Sequence, residues 1–84
     1  MKTKTLDEQK EIIKEIREER EFQDVKWGTQ NHDDEVWYTI LGEEFGEVGK
    51  AILEKDDNLE AEIVQVAAVC VSWLECRRRN KPRV

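Results

Sequence analysis

The chain has 84 residues, of which 20 are acidic and 14 basic, giving a formal net charge of −6. An acidic chain is a poor candidate for non-specific nucleic-acid binding, which needs a positively charged surface. At this length we expect a single domain over 1–84, and a domain this small buries only a modest fraction of its surface. We therefore expect a partner subunit to complete the core.

Cysteine usage and hydropathy favour a cytoplasmic protein without a membrane segment. Cys70 and Cys76 lie six residues apart on one predicted helix, on opposing faces and too far apart to form a disulfide. Free thiols fit a reducing compartment. The charged N-terminus lacks the apolar core of a signal peptide, and the longest apolar stretch, 66–74, is too short to span a bilayer.

The first predicted helix runs from about Leu6 to about Val25. Thr5 and Glu8 have the spacing of a capping box at its start. Its apolar residues are sparse, so one narrow stripe faces a core and the remainder is solvated. Its alternating acidic and basic side chains are typical of ordinary surface pairs, and we assign them no catalytic role. We expect 1–5 and 80–84 to be flexible.

A polar loop, 26–34, follows this helix and permits two interpretations. It is either a turn pinned by a buried Trp27, or a surface that combines an aromatic ring with hydrogen-bonding groups. In the second interpretation Trp27, Asn31 and His32 contact a nucleobase or a sugar.

The second predicted helix runs from about Val36 to about Lys55, after an aspartate cap at Asp33 or Asp34. Apolar residues at steps of three and four predict a core stripe. The stripe consists of Trp37, Leu41, Phe45, Val48 and Ile52. Three glycines, Gly42, Gly46 and Gly49, share one face, although each costs roughly 1 kcal/mol relative to alanine inside a helix. Such a smooth face permits close approach of another helix or of a ligand.

The third predicted helix runs from about Leu59 to about Arg78, with a start signal in Asp57 and Glu60. Its core stripe is formed by Leu59, Ile63, Val66, Cys70, Trp73 and Leu74. The middle, 66–74, is apolar almost all round, which a three-helix monomer cannot easily cover. The sequence therefore predicts an all-α fold, a three-helix protomer in an oligomeric helical bundle built mainly on this helix.

Five oxygen-bearing side chains form the candidate site. Glu43, Glu44 and Glu47 crowd one another on the second helix, and like charges at this spacing repel unless a cation or salt bridge separates them. Glu62 and Gln65 lie three residues apart on the third helix. Two helices side by side bring Glu44, Glu47, Glu62 and Gln65 to one point, an all-oxygen cluster of the kind that Mg²⁺ prefers.

A Glu-rich chain also produces such a motif by chance on a solvated face. Three features favour a site: the cluster adjoins the core stripe, shares its helix with the glycines, and includes Glu62 of the most apolar helix. A carboxylate near a core needs a partner, because unpaired buried charge is costly. The candidate partners are a metal ion and Lys50.

The same residues carry a family resemblance. Glu43-Glu44-x-x-Glu47, followed fifteen residues later by Glu62-x-x-Gln65, resembles the metal-binding signature of the MazG-like all-α nucleoside triphosphate pyrophosphohydrolases. The block Lys26-Trp27-Gly28-x-Gln30-Asn31-His32 is similar to a short MazG-like branch found in bacteria and phages. The resemblance covers roughly residues 20 to 76. It implies a helical homo-oligomer, a dimer or a tetramer, that hydrolyses a nucleoside triphosphate to the monophosphate and pyrophosphate with Mg²⁺, or Mn²⁺ in its place.

The resemblance also implies roles for individual residues. Glu44, Glu47 and Glu62 are metal ligands, and Gln65 stands where the signature has aspartate, so the site lacks one negative charge. Glu43 is either a further ligand or a carboxylate that helps a water molecule attack.

Basic and aromatic residues complete the predicted site. Lys26 and Lys50 meet the phosphates, and Trp27, Asn31 and His32 shape the nucleoside end. The alternatives are a non-catalytic interaction protein that keeps the fold, and a nucleotide sensor that binds without turnover.

Overall fold

The protein is a three-helix fold, known here from a computed structural model that describes residues 2–81. The helices are α1 (Lys2–Trp27), α2 (Asp34–Leu53) and α3 (Leu59–Arg79), and no strand occurs within 2–81. The predicted all-α class is confirmed. None of the three helices is long and apolar enough to cross a membrane.

The helix ends differ from the predicted ones by a few residues. Because α1 begins at Lys2, Thr5 lies inside its first turns, and the predicted capping box is wrong. Asp33 precedes α2, although its side chain makes no capping hydrogen bond. Asn58, rather than Asp57, precedes α3. Of the ends expected to be flexible, Met1 and 82–84 lie outside the described residues, whereas 2–5 are helical.

The α3 helix is the centre of the fold because both other helices pack on it. The α2 and α3 helices form an antiparallel hairpin, whereas α1 packs on α3, and no Cα atom of α1 comes within 8 Å of one in α2 among the described residues. Near the start of α2, Asp34 accepts a hydrogen bond from the Trp73 indole, at 2.8 Å, and forms an ion pair with Arg77 near the end of α3. Both contacts fix the register of the hairpin.

The core of one protomer is small. Only five side chains among the described residues are buried apolar ones: Trp37, Ala51, Ala68, Val69 and Cys76. Trp37 is 2% exposed and packs against Val69 and Cys76, with Ile40, Leu41 and Trp73 around them. Cys70 and Cys76 are both free thiols, as their spacing predicted.

The predicted core stripe of α2 is only partly right. Trp37 is buried and Leu41 and Val48 are half-buried, but Phe45 is 61% and Ile52 57% exposed. The helix is turned so that Ala51 faces α3 instead. Small residues let α2 approach α3 closely, which an apolar count alone does not reveal. The same error affects α3, where Ile63 and Leu74 of the predicted stripe are exposed.

Polar contacts, rather than an apolar stripe, attach α1 to α3. Arg20, whose side chain is 12% exposed, places Nη2 2.6 Å from Oε1 of Glu75 and 2.9 Å from Oδ1 of Asp24. One turn later, Gln23 Nε2 donates to Gln65 Oε1 at 3.3 Å. Because Asp24 and Glu75 are exposed, these ion pairs contribute little to stability, and they orient α1 on α3 more than they stabilise it.

The loop between α1 and α2 is pinned by its second half. Trp27 is 62% exposed, so the interpretation of Trp27 as a buried anchor is wrong. Instead, the Asn31 Oδ1 atom accepts a hydrogen bond from Asn80 at 2.9 Å, and the His32 ring lies edge-on to Trp37 with centroids 4.9 Å apart. The loop is thus held against the end of α3, and Trp27 remains at the surface.

We predict that Trp37→Ala lowers the free energy of unfolding by about 3–5 kcal/mol, because it leaves a cavity at the largest buried side chain. Trp27→Ala is the matched control and should cost less than about 1 kcal/mol. Urea denaturation of both variants measures the difference. Equal losses in the two variants would contradict this description of the core.

Candidate functional site

A groove opens where α1 and α2 both pack on α3 without contacting each other. Its volume is about 360 Å³. Every helix and the loop contribute to its lining, which includes Glu19, Phe22, Gln23, Lys26, Trp27, Trp37, Ile40, Glu44, Gln65, Val69 and Ser72. The buried Trp37 forms part of the wall, so the same residue that organises the core also shapes this groove. We call it the central groove.

Glu44 marks the acidic end of the central groove. It is half-buried on α2, one turn beyond Ile40 on the side that faces α3. Burial raises the pKa of the Glu44 carboxyl, and the negative charges of Glu62, Glu47, Glu43 and then Glu19 raise it further. A carboxylate surrounded by like charges stores repulsion that a bound cation relieves.

Carboxylates predicted from two separate stretches lie within electrostatic range of Glu44. Glu62, half-buried on α3, is the strongest charged neighbour of Glu44, and Glu43 and Glu47 lie exposed beside it on α2. Within the described residues no three His, Cys, Asp or Glu side chains are already arranged around one point as a metal site. Carboxylate oxygens suit a hard cation, but these side chains do not surround a common point in the structure.

Gln65 lies in the groove lining and is engaged with α1. Its Oε1 accepts from Gln23 Nε2 at 3.3 Å, and Gln23 Nε2 also donates to Glu19 Oε2 at 3.2 Å. The residue that replaces the aspartate of the signature thus links α3 to α1. An aspartate at this position would be one methylene shorter and would carry the negative charge that the Gln65 amide lacks.

Glu19 and Gln23 are groove residues that the sequence reasoning missed. The charge pattern of α1 suggested only solvated surface pairs. A signal was present, however: Glu19 and Gln23 lie three and seven residues after Ile16, on the same helical face. In the structure this face, including Ile16, is half-buried against α3.

The other end of the central groove is aromatic and cationic. Trp27 and Phe22 both line it and are both largely exposed. The ammonium group of Lys26 lies 4.9 Å from the Trp27 ring centroid and 5.9 Å from that of Phe22, within range of a cation–π interaction. A flat ring and a positive charge thus line the same groove as Glu44.

Six predicted site residues do not line the central groove: Glu43, Glu47 and Glu62, which act on Glu44 through their charge, and Asn31, His32 and Lys50, which lie elsewhere. Asn31 and His32 line a larger pocket, about 1130 Å³, between the loop and the end of α3, and their polar groups are engaged there with Asn80 and Cys76. Lys50 is exposed on α2 and is not part of the central groove lining. Of the basic and aromatic candidates, the structure places only Lys26 and Trp27 with the carboxylates.

Cys76 is the polar member of the core and faces the loop. Its thiol lies 3.6 Å from the His32 carbonyl oxygen, to which it can donate. The indole N–H of Trp37, then the His32 backbone, lower the pKa of this thiol. The Nε1 atom of Trp37 has no hydrogen-bond partner of normal geometry among the described residues, so its interaction with the sulfur is electrostatic.

No protein-family model, curated protein or solved structure matches this chain. The resemblance to MazG-like enzymes therefore stays a prediction that depends on the sequence motif.

We predict that Glu44→Gln stabilises the protein at neutral pH in the absence of divalent cations. Because the pKa of Glu44 is raised on folding, ionisation destabilises the folded state at neutral pH, and this penalty disappears when the pH falls below the normal carboxyl range. The melting temperature of the variant should exceed that of the wild type at neutral pH, and the gain should vanish near pH 3.

Glu11→Gln, which removes an exposed carboxylate of α1, is the control and should give no comparable gain. A Glu44→Gln variant less stable than the wild type at neutral pH in EDTA would contradict the crowding of charges around Glu44.

Proposed function

We propose that this chain is a Mg²⁺-dependent nucleoside triphosphate pyrophosphohydrolase of the MazG-like type, which converts an NTP or dNTP and water to the monophosphate and pyrophosphate. One observation carries the proposal: Glu44 is half-buried among like-charged side chains in a groove that also holds Lys26 and Trp27. The motif supports the proposal from the sequence, and the groove supports it from the packing of the three helices.

Glu44, Glu47 and Glu62 would hold the metal, with the Gln65 carbonyl oxygen at the edge of the site. When bound, Mg²⁺ (or Mn²⁺) neutralises phosphate charge and orients the attacked phosphorus. Gln65 supplies a neutral oxygen, and Glu19, across the groove on α1, provides a further acidic group near Glu44. This nearby charge partly offsets the one that the Gln65 position lacks.

Proton transfer falls to a carboxylate that does not bind the metal. Glu43 is exposed beside Glu44 and close enough to raise the pKa of that side chain. An ionised Glu43 can accept a proton from the attacking water at a carboxylate oxygen. The water then adds to phosphorus as the bond to the pyrophosphate leaving group breaks.

Trp27 and Lys26 bind the rest of the substrate in this proposal. The exposed Trp27 ring offers a stacking surface for a base, and the Lys26 ammonium beside it carries the charge that a phosphate needs. Asn31 and His32 act indirectly, by fixing the loop that follows Trp27. Lys50 contacts phosphates only if the triphosphate extends beyond the groove along α2.

We further propose that the protein is a homo-oligomer, a dimer or a tetramer, in the cytoplasm. The five-residue core supports the oligomer, because large apolar side chains of α1 and α2 remain exposed. The exposed residues lie mainly on these two helices, whereas most of the apolar middle of α3 is already half-buried within the protomer. We therefore propose an interface on α1 or α2 rather than on α3, where the sequence analysis expected it.

Pyrophosphate release with Mg²⁺ over a panel of NTPs and dNTPs tests the activity. We expect at least one nucleotide to be hydrolysed, and Glu47→Gln to lower kcat/KM roughly 100-fold or more through loss of a metal ligand. Glu11→Gln should retain wild-type activity. Binding of nucleotide with no pyrophosphate release would favour the sensor, and absence of both would favour the interaction protein.

Trp27→Ala should raise KM roughly tenfold, since base–aromatic stacking contributes about 1–3 kcal/mol. Its melting temperature should stay close to that of the wild type, because the ring is exposed. Val25→Ala, an exposed α1 position outside the groove lining, is the control. An unchanged KM for Trp27→Ala would remove Trp27 from the proposed nucleoside end.

A further inference from the structure

One face of α2 points away from the rest of the protomer and is apolar over its whole length. We call it the outer face of α2; it consists of Tyr38, Gly42, Phe45, Gly49 and Ile52, at alternating steps of four and three. Tyr38 is 71%, Phe45 61% and Ile52 57% exposed. Apolar residues at this spacing form the line of contact when two helices pack against each other along their length.

Nothing within one protomer requires glycine at the two glycine positions of this face. A Cβ atom added at Gly42 or Gly49 would meet nothing within 4 Å, so neither position is glycine to make room for a neighbouring element. Both backbones are helical, so neither needs the conformational freedom of glycine. The propensity cost of glycine inside a helix is therefore uncompensated in one chain. Close approach of a helix from outside the chain would compensate it.

The exposed area indicates how much surface a partner has to cover. The chain exposes 7165 Å² at a mass of 10.0 kDa, whereas a compact monomer of this mass exposes about 5,200 Å². The radius of gyration is 14.8 Å, against about 12 Å for a compact domain of this length. A standard interface buries about 800 Å² per partner. The excess of roughly 1,900 Å² therefore suffices for the larger, obligate class of dimer.

We propose that the outer face of α2 packs against the same face of a second copy, in a two-fold dimer. The glycines let the two helices approach closely, and Tyr38, Phe45 and Ile52 fill the space on either side. A second copy fits better than a different partner because the face is apolar and self-complementary, and because a protomer with five buried apolar side chains gains its missing core from it.

This inference rests on the proposed homo-oligomer and not on the proposed activity. On a helix with about 100° between residues, Glu47 lies roughly opposite Phe45. Glu44 also points away from the outer face, toward α3 and the central groove. The dimer thus leaves the central groove open, and loss of dimerisation can be measured apart from loss of the metal site.

Sedimentation equilibrium of the full chain tests the proposal with two variants. We expect the wild type to be a dimer at micromolar concentration, and Gly49→Leu to raise the dimer dissociation constant about 30-fold or more. Gly49→Leu is informative because leucine favours the helix and a Cβ atom at this position meets nothing within 4 Å, so we expect the variant to fold, which its circular dichroism spectrum checks. Phe45→Glu should act in the same direction.

Val36→Glu, at an exposed position of α2 roughly opposite Phe45, is the matched control and should leave the dissociation constant within about threefold of the wild type. A wild-type monomer at micromolar concentration would overturn the homo-oligomer and with it this interface. A wild-type oligomer that Gly49→Leu and Phe45→Glu leave intact would overturn the interface alone. Neither result bears on pyrophosphate release, which the Glu47→Gln assay decides.

Discussion

The packing of Trp37 against Val69 and Cys76 is the constraint on which the rest of the molecule depends. This cluster packs α2 against α3. The Trp37 ring also makes a T-shaped contact with the His32 ring of the loop and lines the central groove. Because so few other side chains are buried, no second cluster of comparable size exists among the described residues to hold these parts together. One apolar contact thus connects the fold to the candidate site.

The central groove follows from the shared use of α3. Two helices that pack on a third, but not on each other, leave a cleft between them, and its lining is drawn from all three. Here that cleft combines a half-buried carboxylate, Glu44, with an exposed ring and an ammonium group, Trp27 and Lys26. The repulsion around Glu44 costs stability in the free protein. We interpret this repulsion as the feature of the site that a bound cation would relieve.

Helical periodicity was sufficient to predict the all-α class and the approximate positions of the three helices. The packing of α3 on α2 also lets the charge of Glu62 act on Glu44, but no three acidic side chains of the described residues are arranged around one point. Helical periodicity failed for Phe45. An apolar residue at that spacing can face either the core of its own chain or a partner, and periodicity does not distinguish the two. It missed Glu19 because the only sign of its position is its helical spacing from Ile16, which the dense charge pattern of α1 outweighed.

The most direct test of the central claim is the pKa of the Glu44 side chain, measured by NMR from its carboxyl chemical shift, with and without Mg²⁺. We predict a value above the normal glutamate range in the free protein, since burial and four neighbouring carboxylates oppose ionisation. With Mg²⁺ the value should fall below the normal range, because the cation favours the ionised form. A normal pKa that Mg²⁺ leaves unchanged would contradict the proposed metal site.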